Sequence, residues 1–77
     1  MMEEATVIKI IAEQLGISED AIALDMTFAD LHADSLDLFQ IIAALEETYD
    51  LEFDNDEAEK LASVGDIVAY IEKALEN

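Results

Sequence analysis

Cysteine and arginine are both absent from this 77-residue sequence. Without cysteine the chain has no disulfide, no thiolate metal ligand and no thiol of its own. There are two glycines and no proline, which excludes glycine-rich phosphate loops and a proline- or glycine-rich linker. No apolar run approaches the roughly 20 residues that a membrane span needs. The opening Met1-Met2-Glu3-Glu4 is the reverse of a basic signal-peptide start. A soluble cytoplasmic protein with no membrane insertion is expected. Basic residues are scarce: three lysines stand against 20 acidic residues, for a net charge of −17. None lies between Lys9 and Lys60. Such a chain cannot bind nucleic acid by neutralising phosphates. It is expected to attract basic patches on other proteins, in complexes that weaken as salt rises.

What is present suffices for folding. A hydrophobic content of 53% supports a small core, so residues 1–77 are expected to form one domain despite the charge. The spacing of Val7, Ile8, Ile11 and Leu15 predicts a first helix over 3–15, stopped by Gly16 at the left-handed position after its end. A long connection follows, from Ile17 to Ala33. Ile17, Ile22, Leu24, Phe28 and Leu31 are its expected anchors, and single helical turns are expected at 18–21 and 27–30.

The strongest pattern lies next. Asp34 is a good N-cap for a helix over 35–49, and Asp37 adds negative charge near the positive end of the helix dipole. Leu38, Ile41, Ile42, Leu45 and Tyr49 fall on one face and are expected in the core. Leu36, Gln40, Ala43 and Glu47 form the opposite stripe, with Phe39 and Glu46 near a border. Ser35 occupies the first helical position, where its hydroxyl faces solvent and a helix N-terminus tolerates an anion. A short helix is expected over 56–62, capped by Asp56, with Ala58 and Leu61 inward. The last helix is expected to start at Ser63, with Asp66 completing a capping box, and to bury Val64, Ile67, Val68, Ile71 and Leu75. No stretch alternates with period 2. The expected fold is all-α: three longer helices, one short helix, and a long loop between the first two.

Two chemical readings of these residues fail. A serine hydrolase needs a base, and the sole histidine, His32, lies three residues before Ser35 in a chain too small for a deep pocket. An EF-hand counted from Asp50 meets Asn55 where glycine is required and Leu61 where the bidentate acid belongs. No metal ligand set is assigned.

His32-Ala33-Asp34-Ser35-Leu36-Asp37, followed by Ala44-Leu45-Glu46-Glu47, resembles the core of the acyl carrier proteins. The resemblance extends from the first helix through Leu24-Asp25 and Phe28-Ala29-Asp30-Leu31 to Val64-Gly65-Asp66-Ile67 and Ile71. It implies a non-catalytic carrier in which Ser35 bears a 4′-phosphopantetheine arm, transferred from coenzyme A by a phosphopantetheinyl transferase. The arm's thiol would hold acyl groups as thioesters for enzymes of fatty-acid or related synthesis. The resemblance implies a docking face of Asp34, Leu36, Asp37, Gln40, Ala43, Glu46 and Glu47 for partners with basic patches, and an acyl shelter near Phe39, Ile42, Ala58 and Leu61. A free-standing monomer is expected. A dedicated carrier for a polyketide, aminoacyl or cell-wall pathway is the neighbouring reading, and an acidic docking module without a prosthetic group is the reading from another class. Two residues depart from the family pattern: His32 replaces glycine and Asp54 replaces proline.

Overall fold

The computed structural model describes residues 2–76. Four helices follow in order: α1 (Met2–Leu15), α2 (Ser35–Tyr49), α3 (Asn55–Glu59) and α4 (Val64–Glu76). A 3-10 turn, Glu19–Ala21, lies in the long loop. Among the described residues there is no strand, only an isolated antiparallel bridge between Thr27 and Ser63. The all-α expectation holds.

α1 packs against both α2 and α4. Its buried arc is therefore wider than the expected stripe and takes in Ile10 and Ala12, while Ile8 and Leu15 sit at its edge. Among the described residues, Ile11, Ile41, Leu45, Ile67 and Ile71 are the largest fully buried side chains, and no polar side chain is buried with them. Gly16 ends α1 at φ 70°, with the Ile17 N–H donating to Ala12 O at 3.1 Å.

Two expected loop anchors, Ile17 and Leu24, are instead half exposed. What they contribute is backbone: the Ile17 amide caps α1, and Leu24 O accepts the Gly65 N–H at 2.8 Å. Val64 N–H donates to Met26 O at 3.0 Å and Phe28 N–H to Ala62 O at 3.3 Å, stitching the loop to the start of α4. Ile22, Phe28 and Leu31 are buried as expected.

The third helix also differs from its expected span. It starts after Asp54, which makes no side-chain cap hydrogen bond, so Asp56 lies inside the first turn. Phe53, two residues before the helix, is buried against Tyr70, with ring centroids 4.5 Å apart. At the other end, Lys60 and Leu61 N–H tighten onto Glu57 O and Ala58 O. Ala62 and Ser63 donate their N–H groups to Asp66 Oδ2, at 2.9 and 3.1 Å, and are lost to α3. These two amides, with the Ser63 hydroxyl, hold the Asp66 carboxyl below the usual carboxylate range. Ser63 Oγ in turn accepts the Asp66 N–H at 3.2 Å, completing the expected capping box. Leu75, expected in the core, is 45% exposed. One turn beyond Ile71, it lines a shallow surface depression together with Glu3, Glu72 and Glu76.

The molecule measures 31 × 25 × 21 Å. At about 10 mM salt the Debye length is roughly 30 Å, so every charge acts on every other; at about 150 mM it is roughly 8 Å. With a net charge of −17, the folded state is expected to be self-repelling. Moving from low to moderate salt should therefore raise the melting temperature. A flat or falling melting temperature across that range would show that favourable native ion pairs dominate.

Candidate functional site

The segment that delivers the chain to α2 is a single closed helical turn. Thr27 N–H donates to Asp30 Oδ2 at 3.0 Å, and Asp30 N–H donates to Thr27 Oγ1 at 3.1 Å. The turn closes with His32 N–H on Ala29 O at 3.1 Å and Ala33 N–H on Phe28 O at 2.9 Å. That closure places His32 in the left-handed region, at φ 60°. A residue without Cβ fits this position at least cost, and histidine is tolerated there better than a β-branched residue.

Two residues later α2 begins with a reciprocal cap. Asp34 Oδ1 accepts the Asp37 N–H at 2.9 Å, and Asp37 Oδ2 accepts the Asp34 N–H at 3.2 Å. Asp37 thus does more than place negative charge near the helix dipole: its hydrogen bond back to Asp34 makes it half of the cap. Ser35, at the first helical position, is exposed. Among the described residues, no hydrogen bond joins its hydroxyl to His32, which is itself exposed. Among the described residues, the Ser35 and Leu36 N–H groups have no protein acceptor at the positive end of the helix.

Leu36, Gln40, Ala43 and Glu47 are all exposed, in one stripe descending from Ser35. Leu36 is 63% exposed, and Phe39, placed by the wheel only at a border, is 66% exposed. Glu46 is partly buried, and its Oε2 accepts the Phe53 N–H at 2.8 Å. Between α2 and α3 lies a groove of about 470 Å³, lined by Ser35, Leu38, Phe39, Ile42, Ala58, Glu59 and Leu61. Ser35 stands at its rim. Leu38, expected in the core, is only partly buried and joins this lining, three residues after Ser35 on the face that turns from the surface to the core. Glu59 is a further lining residue without a sequence signal. A wider depression of about 720 Å³ lies at the end of α1, among Lys9, Glu13, Gly16 and Asp20, and is mostly polar. No three His, Asp or Glu side chains converge as a metal site among the described residues.

Residues 5–71 match the family model described as "Phosphopantetheine attachment site". A protein named acyl carrier protein from Akkermansia muciniphila is 51% identical over 71 residues, covering 91% of this chain and 89% of its own length. The chain belongs to the acyl carrier protein family. An acyl carrier protein of Clostridium acetobutylicum is 54% identical over 63 residues, covering 80% of this chain and 82% of its own. The fold is shared with the HMG-ACPI domain from the CurA module of Lyngbya majuscula, solved by NMR, at a TM-score of 0.82 and 25% identity. That match covers 94% of this chain and 73% of the domain. Acyl carrier proteins are non-catalytic and take a covalently attached 4′-phosphopantetheine. No helix among the described residues is long and apolar enough to cross a membrane.

Proposed function

We propose that Ser35 is the attachment residue of the phosphopantetheine arm, and that the chain carries acyl groups for the enzymes of fatty-acid synthesis. One observation carries this reading: the exposed Ser35 lies on the rim of an apolar groove, at a capped helix start. The surroundings fit the group. A phosphodiester on Ser35 is favoured by the free first-turn amides and the helix dipole. When bound, the arm supplies the thiol that this cysteine-free chain lacks. Asp34 and Asp37 bind each other's backbone and hold the turn that presents the hydroxyl, while the transferase provides the base for its proton. Leu38, Phe39, Ile42, Ala58 and Leu61 form a lining that excludes water from an aliphatic chain. This lining favours aliphatic cargo over the aminoacyl and cell-wall alternatives, whose polar groups would lose hydrogen bonds there.

In this reading residues 1–77 act as one carrier domain, a monomer in the cytoplasm. Its partners, the transferase and the acyl-handling enzymes, approach with basic patches. The parent protein, incubated with coenzyme A and an active transferase, is expected to gain one phosphopantetheine in intact-mass measurements. Failure to gain it would favour a docking module without a prosthetic group.

The docking face is proposed to run along Leu36, Gln40, Ala43 and Glu47, with Asp34 and Asp37 at its head. Leu36→Ala removes an apolar contact, and Glu47→Lys sets a positive charge against a basic patch. Each is expected to slow arm transfer by about tenfold, the effect of losing roughly 1.4 kcal/mol of contact. Only the Glu47→Lys deficit should shrink as salt rises. Parent rates for both variants, with the transferase limiting, would mean that the stripe is solvated surface.

A further inference from the structure

Glu46 stands apart from the outward stripe. Its hydrogen bond to Phe53 N–H is partly buried and ties α2 to the segment after it. Phe53 is itself held by its stack on Tyr70, with 19° between the ring planes. α3 begins two residues after Phe53, runs for five residues, and has no side-chain cap hydrogen bond. Five residues are far fewer than the roughly 12–15 that an isolated helix needs for even marginal stability. Among the described residues, α3 takes no part in helix packing of the kind that joins α1 to α2 and α4. Ala58 and Leu61 rest against the edge of the core, and the helix is otherwise positioned by what holds its two ends. Downstream, the amides of Ala62 and Ser63 are fixed by Asp66. Upstream, the hold is Phe53, through its ring on α4 and its amide on Glu46.

We propose that Glu46 is a positioning residue for the cargo groove. By accepting the Phe53 N–H, its carboxylate fixes the α3 wall, with Ala58 and Leu61, against the α2 floor at Phe39 and Ile42. It thereby sets how firmly an apolar chain on the Ser35 arm is covered. The proposal rests on the reading of Ser35 and the groove given above, and it reassigns Glu46 from the docking face to the groove. A docking role would depend on negative charge; a positioning role depends on an acceptor at the right reach. Glutamine keeps that acceptor without the charge, and alanine keeps neither.

Two measurements decide it. In the unloaded protein, amide hydrogen exchange at Phe53 and in α3 is expected to quicken by about tenfold in Glu46→Ala, the scale of one lost charge-assisted hydrogen bond. Glu46→Gln should stay within about threefold of the parent, since neutral acceptors bind less strongly but still bind. Core amides of α1 and α4 should not change in either variant, which separates local release from global destabilisation. In the loaded protein, cleavage of an octanoyl thioester by hydroxylamine should be slower than that of an acetyl thioester. Glu46→Ala should lose most of this difference by speeding octanoyl cleavage alone, and Glu46→Gln should keep it. A glutamine variant as impaired as alanine overturns the proposal in favour of charge, and parent behaviour of Glu46→Ala overturns it outright. Equal cleavage of the two thioesters in the parent overturns the groove reading and the cargo half of the proposal, while exchange at Phe53 still decides the hydrogen bond.

Discussion

Ser35→Ala protein is expected to gain no phosphopantetheine from coenzyme A in the presence of an active transferase. Alanine offers no oxygen from which the phosphodiester could form, and no neighbouring hydroxyl shares the first turn of α2. The fold should persist. Ser35 is exposed, alanine is a good helix former at this position, and the cap belongs to Asp34 and Asp37. The stability change is expected to lie within about 0.5 kcal/mol, as for surface substitutions that break no special feature. Asp34→Ala should show the reverse pattern. It keeps the hydroxyl but leaves the Asp37 N–H without its acceptor, at a cost of about 1 kcal/mol. Intact mass and chemical denaturation on both variants make the comparison. A Ser35→Ala protein that still gained the arm's mass would sink the assignment of the site.

The second large effect contrasts two leucines of one helix. Leu45 is fully buried and Leu36 is mostly exposed. Leu45→Ala removes side-chain carbons from the contact of α2 with the core and leaves a cavity, costing about 2–5 kcal/mol. The total stability of a chain of this length is roughly 4–12 kcal/mol. The denaturation midpoint should therefore fall by a large fraction, with the denaturant slope unchanged. At low salt, where self-repulsion adds to the loss, part of the variant should be unfolded, and moderate salt should restore some of it. Leu36→Ala, the same chemical change nine residues earlier, should stay within about 0.5 kcal/mol of the parent. Comparable midpoints for the two variants would contradict the burial of Leu45.

The contrast marks what could be read from the sequence. The span of α2, its exposed stripe and the burial of Ile41, Ile42 and Leu45 followed from apolar spacing and one capping aspartate, because a long amphipathic helix carries its own signal. Leu38 and Tyr49, expected with them, lie at the edge of the core. The approach of Ser35 to a groove lined by Phe39, Ile42, Ala58 and Leu61 was implied by the family resemblance, and the structure brings these residues together. α3 was misplaced because its limits are set from outside, by the Phe53–Tyr70 stack and by the Asp66 carboxylate that takes the Ala62 and Ser63 amides. The loop was half understood. Its apolar anchors had a signature, but its stitches to α4 run from backbone to backbone and leave no mark on residue choice. Gly65 is the exception: a Cβ there would lie 3.0 Å from Leu24 O, so the glycine records a close approach. The commitment of Glu46 to Phe53 had no signal either, since a glutamate near a helix border looks the same whether it is solvated or bonded.

Those stitches also set an order of events during synthesis. Leu24, Met26 and Phe28 find their backbone partners at Gly65, Val64 and Ala62, roughly half the chain further on. Most contacts in a helical bundle are local and form early, whereas these close a long loop and come late. A ribosome delivers the chain from its N-terminus at about 5–20 residues per second, so Ser35 emerges well before the residues that hold its approach loop in place. A nascent chain halted after α3 would display the serine on an unfastened loop. The bonds within the turn, from Thr27 to Asp37, are local and close early; what waits for α4, distant from the serine in sequence, is the fastening of that turn to the rest of the fold.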